Sequence, residues 1–533
     1  MALLRASLLG LAALASARLN VVFIAIDDLR PEMGAFGGEA VTPHMDAFAK
    51  TGVLMNRNYV QIGVCSPSRT SLLTGRYPDS TRITDLWHYF RDVGANSTTL
   101  PEAFRLAGYR TVGSSKIYHP GHASGSGDDW SSFNPCGAGC NGYNDPLSWT
   151  DYAIPASNLL PPWSYVYNQS WYALDEATYP RAMHPDAQSA AFAAAAIASA
   201  SAAGEPFFVA AGFLKPHLPF IFPAVFLEPY ANYSTLAPDA AAATNESPAS
   251  WTGWGELRSY ADIAPIAAHH NLTRVGAQMP RDKALELRRA YFAATSFTDW
   301  CIGQVLAAID EAGRTNDTVV VLWGDHGWQL GDHGDWTKHT NFESVVRAPL
   351  IIRSPAHAAS AGAVVQAITS HIDIAPTICA LAGVTPPASF QGLSIEPLLA
   401  NPALPALPGR PYSYAQYPRL QSDCPPPAVN CGYPHAMGYT LRTPLWRYTE
   451  WVRYDNETYT PHWEQPFDAP VWRELYAHKG DTGANWQSFE DINVVDDPAH
   501  AALVANLSAL LRSGPNLLQP QRAPPSDAVA GSL

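Results

Sequence analysis

The chain has 533 residues, 47% of them hydrophobic and only 15% charged, a composition that can bury a large core and excludes disorder as the main state. Asp and Glu outnumber Lys and Arg by 47 to 33, and the formal net charge of −14 excludes a broad basic face for nucleic acid or an anionic membrane. An anionic ligand must therefore meet locally placed cations, and lysine is scarce: Lys50, Lys116, Lys215, Lys283, Lys338 and Lys479 are all there are.

Residues 1–17 place Arg5 before an apolar stretch that ends on Ala15-Ser16-Ala17, the pattern of a secretory signal peptide. A membrane anchor needs about 20 apolar residues, and no later stretch is expected to span a bilayer, the nearest being 190–203. The expectation is the secretory pathway, lysosomal or extracellular, without membrane insertion. Asn-x-Ser/Thr sites at Asn96, Asn168, Asn232, Asn245, Asn271, Asn316, Asn456 and Asn506 agree with that compartment.

Residues 21–26 form a continuous apolar, β-branched run that ends in Asp27-Asp28, as in a strand buried on both faces. The same shape recurs at 206–212, at 318–323 before Gly324-Asp325-His326, and at 349–352. Helical patterns lie between them. Thr99-Leu100-Pro101-Glu102 opens one that Gly108 closes, and 186–204 and 281–313 carry two longer ones. This alternation predicts an α/β fold, a mainly parallel sheet sandwiched by helices, with ligands bound beyond the carboxyl ends of the strands.

From about residue 405, Pro and Gly punctuate short β-rich stretches that predict a smaller C-terminal subdomain with an antiparallel sheet. The expected division is 1–17 signal peptide, 18–404 catalytic α/β domain, 405–513 C-terminal α+β subdomain and 514–533 disordered tail. Segments 134–185 and 219–280 read as elaborated loops over the strand ends. Cys136/Cys140 and Cys424/Cys431 are close enough in sequence to bridge in an oxidising compartment. Cys301 and Cys379 fall on apolar helical stretches and read as buried free thiols.

Asp27, Asp28 and Asp325 with His326 bring three carboxylates and one imidazole to two strand ends, a mainly oxygen set that suits Ca²⁺ or Mg²⁺ over Zn²⁺. Cys65 opens Cys65-Ser66-Pro67-Ser68-Arg69, with Pro67 a good first helical residue and Gly75 a good stop. A cysteine at a helix N-terminus with Arg69 one turn on reads as an activated nucleophile facing an anionic substrate.

C-S-P-S-R followed by Leu72-Leu73-Thr74-Gly75-Arg76 resembles the signature of the type I sulfatases. Further elements are similar to that family's. They are Gly108-Tyr109-Arg110-Thr111 leading to Lys116-Ile117-Tyr118-His119, then Lys215-Pro216-His217-Leu218-Pro219-Phe220, then Asp325-His326-Gly327-Trp328 running through Asp332 to Lys338. Two positions depart from the pattern: Ser115 stands where relatives usually carry Gly, and Asp332 where they carry Glu. His after the metal aspartate and Trp two residues on resemble the uronate-sulfatase branch more than the arylsulfatases.

The resemblance implies an alkaline-phosphatase-like fold and a sulfuric ester hydrolase acting on a sulfated uronic acid or related glycan. It implies that a formylglycine-generating enzyme converts Cys65 to formylglycine, whose hydrate attacks sulfur. The metal, Ca²⁺ ahead of Mg²⁺, is held by Asp27, Asp28, residue 65, Asp325 and His326. In the implied roles Arg69 and Lys116 hold the sulfate charge, Lys338 or His217 protonates the leaving oxygen, and His119 acts as the later base. Asp129 and Trp328 are implied at the sugar subsite. The rival expectations are a phosphatase or phosphodiesterase of the same fold, which would use Ser or Thr and two zinc ions, and a non-catalytic glycan-binding homologue. His269, His270, His333 and His339 receive no direct catalytic role.

Overall fold

The strand that ends in Asp27 is β1 (Asn20–Ile26), and every one of its residues is buried. Val22, Ile24 and Ile26 enter one apolar core, and Val21, Phe23 and Ala25 enter another on the opposite face. That alternation explains the unbroken apolar run: with both faces covered, neither set can be polar. The computed structural model describes residues 18–94, 97–125, 145–153, 168–235, 241–272, 275–419, 436–455, 458–463 and 473–514. The expected signal peptide, Asp129, the pairs Cys136/Cys140 and Cys424/Cys431, and the tail beyond Gly514 lie outside the described residues.

The other strands of the central sheet are β2 (Val53–Tyr59), β3 (Arg110–Ser114), β4 (Asp151–Ala153), β5 (Phe207–Phe213), β6 (Thr318–Gly324), β7 (Leu350–Arg353) and β8 (Val364–Ser370). Their spatial order is β8-β2-β7-β6-β1-β5-β3-β4. All neighbours pair parallel except β7, which runs against both β6 and β2. The run at 349–352 is thus a strand of reversed direction. A parallel return needs a crossover of a dozen or more residues, usually a helix. The only α-helix between β6 and β7 is the four-residue Glu343–Val346.

One face of the sheet is covered by α3 (Pro185–Ala203) and α4 (Arg281–Glu311), the other by α1 (Cys65–Thr74), α2 (Leu100–Leu106) and α5 (Ile374–Ala382). The α2 start carries a full capping box, Thr99 and Glu102 each closing on the other's backbone N–H. The sequence leads to the expectation that no stretch after the signal peptide is long and apolar enough to span a bilayer, yet α4 is, by length and composition. Its apolar stretch is 78% buried. It is the core helix under the sheet, and burial on all sides produces the same composition as lipid.

The C-terminal sheet contains β9 (Ser413–Arg419), β10 (Ala436–Arg442), β11 (Trp446–Asp455), β12 (Thr460–His462) and β13 (Arg473–Ala477), all pairing antiparallel. Helix α6 (Ala501–Ser513) lays Val504, Leu507 and Leu511 into a core with Met437, Leu441, Tyr448 and Leu475. A buried ionic cluster joins this sheet to the central one. Glu343 accepts from Tyr59 at 2.8 Å and from Arg442 at 3.0 Å, while Arg447 bonds both Glu343 and Glu490.

Candidate active site

Four neighbouring strands, β6, β1, β5 and β3, deliver the sequence-predicted residues to one end of the sheet. Asp27 and Asp28 follow β1, Asp325 and His326 follow β6, Lys215 and His217 follow β5, and Lys116 and His119 follow β3. Asp28 turns with φ +57, and its N–H donates to Asp325 Oδ1 at 3.0 Å, which closes the two strand ends on each other. Helix α1 points its first residue, Cys65, into the same space. The helix starts two residues before Pro67 and stops at Gly75, whose φ of +60 is the left-handed C-cap that glycine adopts without cost.

Cys65 Sγ is the centre of the cluster. It lies 3.4 Å from Asp27 Oδ1, 3.4 Å from His326 Nε2, 3.5 Å from Lys338 Nζ and 3.6 Å from Lys116 Nζ. Arg69 sits beneath, fully buried, with Nε donating to Asp325 Oδ2 at 2.7 Å and Nη2 to Asp27 Oδ1 at 3.2 Å. Its Nη1 takes the carbonyls of Lys116 and Ile117, so one guanidinium ties α1 to three strand ends. Lys116 Nζ bonds Asp27 Oδ2, and Lys338 Nζ bonds Asp28 at 2.9 Å.

Burial raises the Asp27 carboxyl, but the charges of Lys116 and Arg69 outweigh it and hold the group well below the usual range. Asp28 goes the other way, pushed well up by burial against the single nearby ammonium of Lys338. Burial, and next the charge of Asp27, push the Cys65 thiol up. The helix N-terminus and Arg69 are in place, but desolvation and the carboxylates outweigh their effect on the thiol. Burial also holds His119 and His217 neutral, well below the usual histidine range.

The donor set fits a hard divalent cation. Asp27, Cys65, Asp325 and His326 offer atoms within 4.8 Å of one another, and Asp27, Asp28, Cys65 and His217 do the same. His326 Nδ1 lies 2.9 Å from the Gly327 carbonyl, so that nitrogen carries the proton and the Nε2 lone pair faces the cluster. With all four ionised, as a bound cation requires of Asp28, the carboxylates of Asp27, Asp28, Asp325 and Glu256 stand against the charges of Arg69, Lys116 and Lys338, a deficit of positive charge that a divalent ion corrects.

Ser115 occupies a left-handed conformation, φ +55, which is the reason glycine suits this position. Lys116 still reaches Asp27. Asp332 accepts Arg30 in a two-pronged pair at 2.6 and 3.1 Å, which holds its carboxyl at about 2 against the effect of burial. Trp328 is 1% exposed and lies in the core, with Lys338 Nζ 5.2 Å from its ring centre. It is a platform under the ammonium, where sequence reading expects a sugar-facing ring. His333 stacks on Phe342 at 4.3 Å, His339 packs on Tyr417 and His269 is exposed. Glu256, from the loop at 219–280, is the residue the sequence does not announce: its Oε1 lies 3.1 Å from Lys338 Nζ.

The sulfatase family model matches residues 19–384. Iduronate 2-sulfatase of Mus musculus is 31% identical over 92% of this chain and 93% of its own, and that of Homo sapiens is 31% identical over 83% and 86%. Among solved structures, phosphonate monoester hydrolase from Silicibacter pomeroyi superposes with a TM-score of 0.67 over 93% of this chain and 95% of that one, at 23% identity. A protein solved with its substrate D-glucosamine-2-N,6-O-disulfate gives 0.65 over 93% and 97%, at 19% identity. The last two establish the fold. With its strand-end cluster and a family match over most of its length, the chain belongs to the type I sulfatases, enzymes that hydrolyse sulfuric esters.

Proposed function

We propose that this sulfatase removes sulfate from a sulfated uronic acid or a related glycan in the secretory pathway, using formylglycine at position 65 and a divalent ion, Ca²⁺ ahead of Mg²⁺. The observation that carries the proposal is the ring of Asp27, His326, Lys116 and Lys338 within 3.4 to 3.6 Å of Cys65 Sγ. Iduronate 2-sulfatases matching over nearly the whole chain support the uronate and the compartment. Formylglycine supplies the nucleophilic oxygen once Cys65 is converted by a formylglycine-generating enzyme, and the ion, held by Asp27, Asp28, residue 65, Asp325 and His326, supplies Lewis acidity.

The chain's own residues do the rest. Arg69 and Lys116 carry fixed positive charge in a buried pocket, where they stabilise the anionic sulfuryl group more than water does. With the ion present the pocket's net charge suits the single negative charge of a sulfate ester. His217 Nδ1 bonds the Leu218 carbonyl, so in the neutral ring Nε2 lacks a proton and cannot donate. This favours Lys338 over His217 as the acid for the leaving oxygen. His119, held neutral by burial and in the same loop as Lys116, is the proposed base for the later proton whose removal frees sulfate.

The test is ion chromatography of sulfate released from a panel of sulfated saccharides and aryl sulfates, with Cys65→Ala as control. Release from a 2-O-sulfated uronate that the variant abolishes is expected. Phosphate release from the matching phosphate esters without sulfate release contradicts the proposal.

A further inference from the structure

Lys338 faces two carboxylates. Asp28, at 2.9 Å, belongs to the set that suits the metal, and Cys65, at 3.5 Å, is the residue to be converted. Both partners have other work during turnover. Glu256 does not: its side chain is 25% exposed and meets Lys338 at 3.1 Å.

The pairing is built into the backbone. Asp335, three residues before Lys338, accepts the N–H of Thr252 at 2.7 Å and of Trp254 at 2.9 Å, and the hydroxyl of Thr252 at 2.7 Å. Trp254 Nε1 donates to the Gly334 carbonyl at 3.1 Å. Gly255, at φ +44, rests against Thr337 so closely that a Cβ there would overlap the threonine hydroxyl oxygen. The loop carrying Glu256 is thereby fastened to the segment that leads into Lys338 at three points, Gly334, Asp335 and Thr337. An exposed acid on a free loop would pair with a lysine only part of the time; here the two ends of the pair are fixed to each other.

We infer that Glu256 is a positioning residue that holds the Lys338 ammonium toward the leaving-group oxygen when Asp28 is engaged by the metal. The inference rests on the proposed sulfatase chemistry. As the ester S–O bond breaks, sulfur bonds to the attacking hydroxyl oxygen, whose proton is released to water, so that no net proton is consumed. The electron pair of the broken bond goes to the leaving oxygen, which takes a proton from Lys338 Nζ, and the resulting amine regains one from water. Such assistance matters most when the leaving alcohol is a weak acid, as in a sugar, and least for a nitrophenol.

The experiment compares Glu256→Gln and Glu256→Asp with wild type on a sugar sulfate and on nitrocatechol sulfate, with calcium affinity measured by titration calorimetry. Glu256→Gln is expected to lower kcat about tenfold on the sugar ester and far less on the aryl ester, with calcium affinity unchanged and Glu256→Asp between the two. Equal losses on both esters, no loss on either, or weakened calcium binding overturns the inference, and if Glu256→Gln does not fold, Glu256→Asp without the leaving-group contrast does so. Absence of wild-type activity on both esters is a different outcome: it refutes the underlying chemistry.

Discussion

Replacing Ser115 by glycine should stabilise the protein, and the size of the effect follows from three terms. The residue holds φ +55, a conformation that costs a side-chain-bearing residue about 1–2 kcal/mol. Its hydroxyl is buried without a hydrogen-bond partner among the described residues, worth a further ~1–3 kcal/mol of desolvation. The backbone cannot relax away from the strain. Gly212 on β5 passes so near that a Cβ there would stand 2.6 Å from Lys116 N, and Tyr152 and Arg69 bond the carbonyls of Ser115 and Lys116. Against these gains, glycine adds unfolded-state entropy of roughly 0.5–1 kcal/mol. The net is a stabilisation of about 2 kcal/mol. Urea titration followed by tryptophan fluorescence reads it as a higher midpoint at unchanged slope. An equal or lower midpoint refutes the assignment of strain to this residue, and a collapse of kcat/KM would show that the serine side chain positions Lys116.

Arg69→Lys should cost at least about 100-fold in kcat/KM, because a single ammonium cannot bridge Asp27, Asp325 and two carbonyls at once. The same variant should unfold more easily by roughly 1–3 kcal/mol, since the lysine keeps the charge but leaves buried acceptors without a donor, and thermal melts of the secreted protein check this. Asp299 caps the 43–49 helix through the N–H groups of His44 and Met45, and burial pushes its carboxyl up to about 7. Because that value lies above the unfolded one, the native state binds the extra proton between about pH 4 and 7, and stability falls as pH rises through this window. Melts across pH 5 to 7.5 should therefore be steeper for wild type than for Asp299→Asn; identical slopes contradict it.

The strand ends were the legible part of the site because their chemistry is local. An apolar run on β1 or β6 must be buried on both faces, and an acid directly after it must lie at the sheet's carboxyl end. The direction of β7 was not legible, since it depends on the absence of a crossover helix rather than on the strand's own residues. Nor was the state of the Cys65 thiol: the helix start is a local signal, but the burial and the Asp27 charge that raise it come from distant segments. Glu256 lies in an aperiodic loop, and what brings it to Lys338 is Asp335 gripping Thr252 and Trp254 some 80 residues away in sequence. Trp328 illustrates the converse, a motif position whose burial makes it a support for Lys338.

The central claim is that Cys65 works as formylglycine, and mass spectrometry of the tryptic peptide Asn58–Arg69 from protein secreted by cells carrying the converting enzyme tests it directly. The account predicts the mass of the aldehyde, reactivity of that peptide toward a hydrazine probe, and sulfatase activity in proportion to the converted fraction. Full activity in protein whose peptide carries only unmodified cysteine would contradict it.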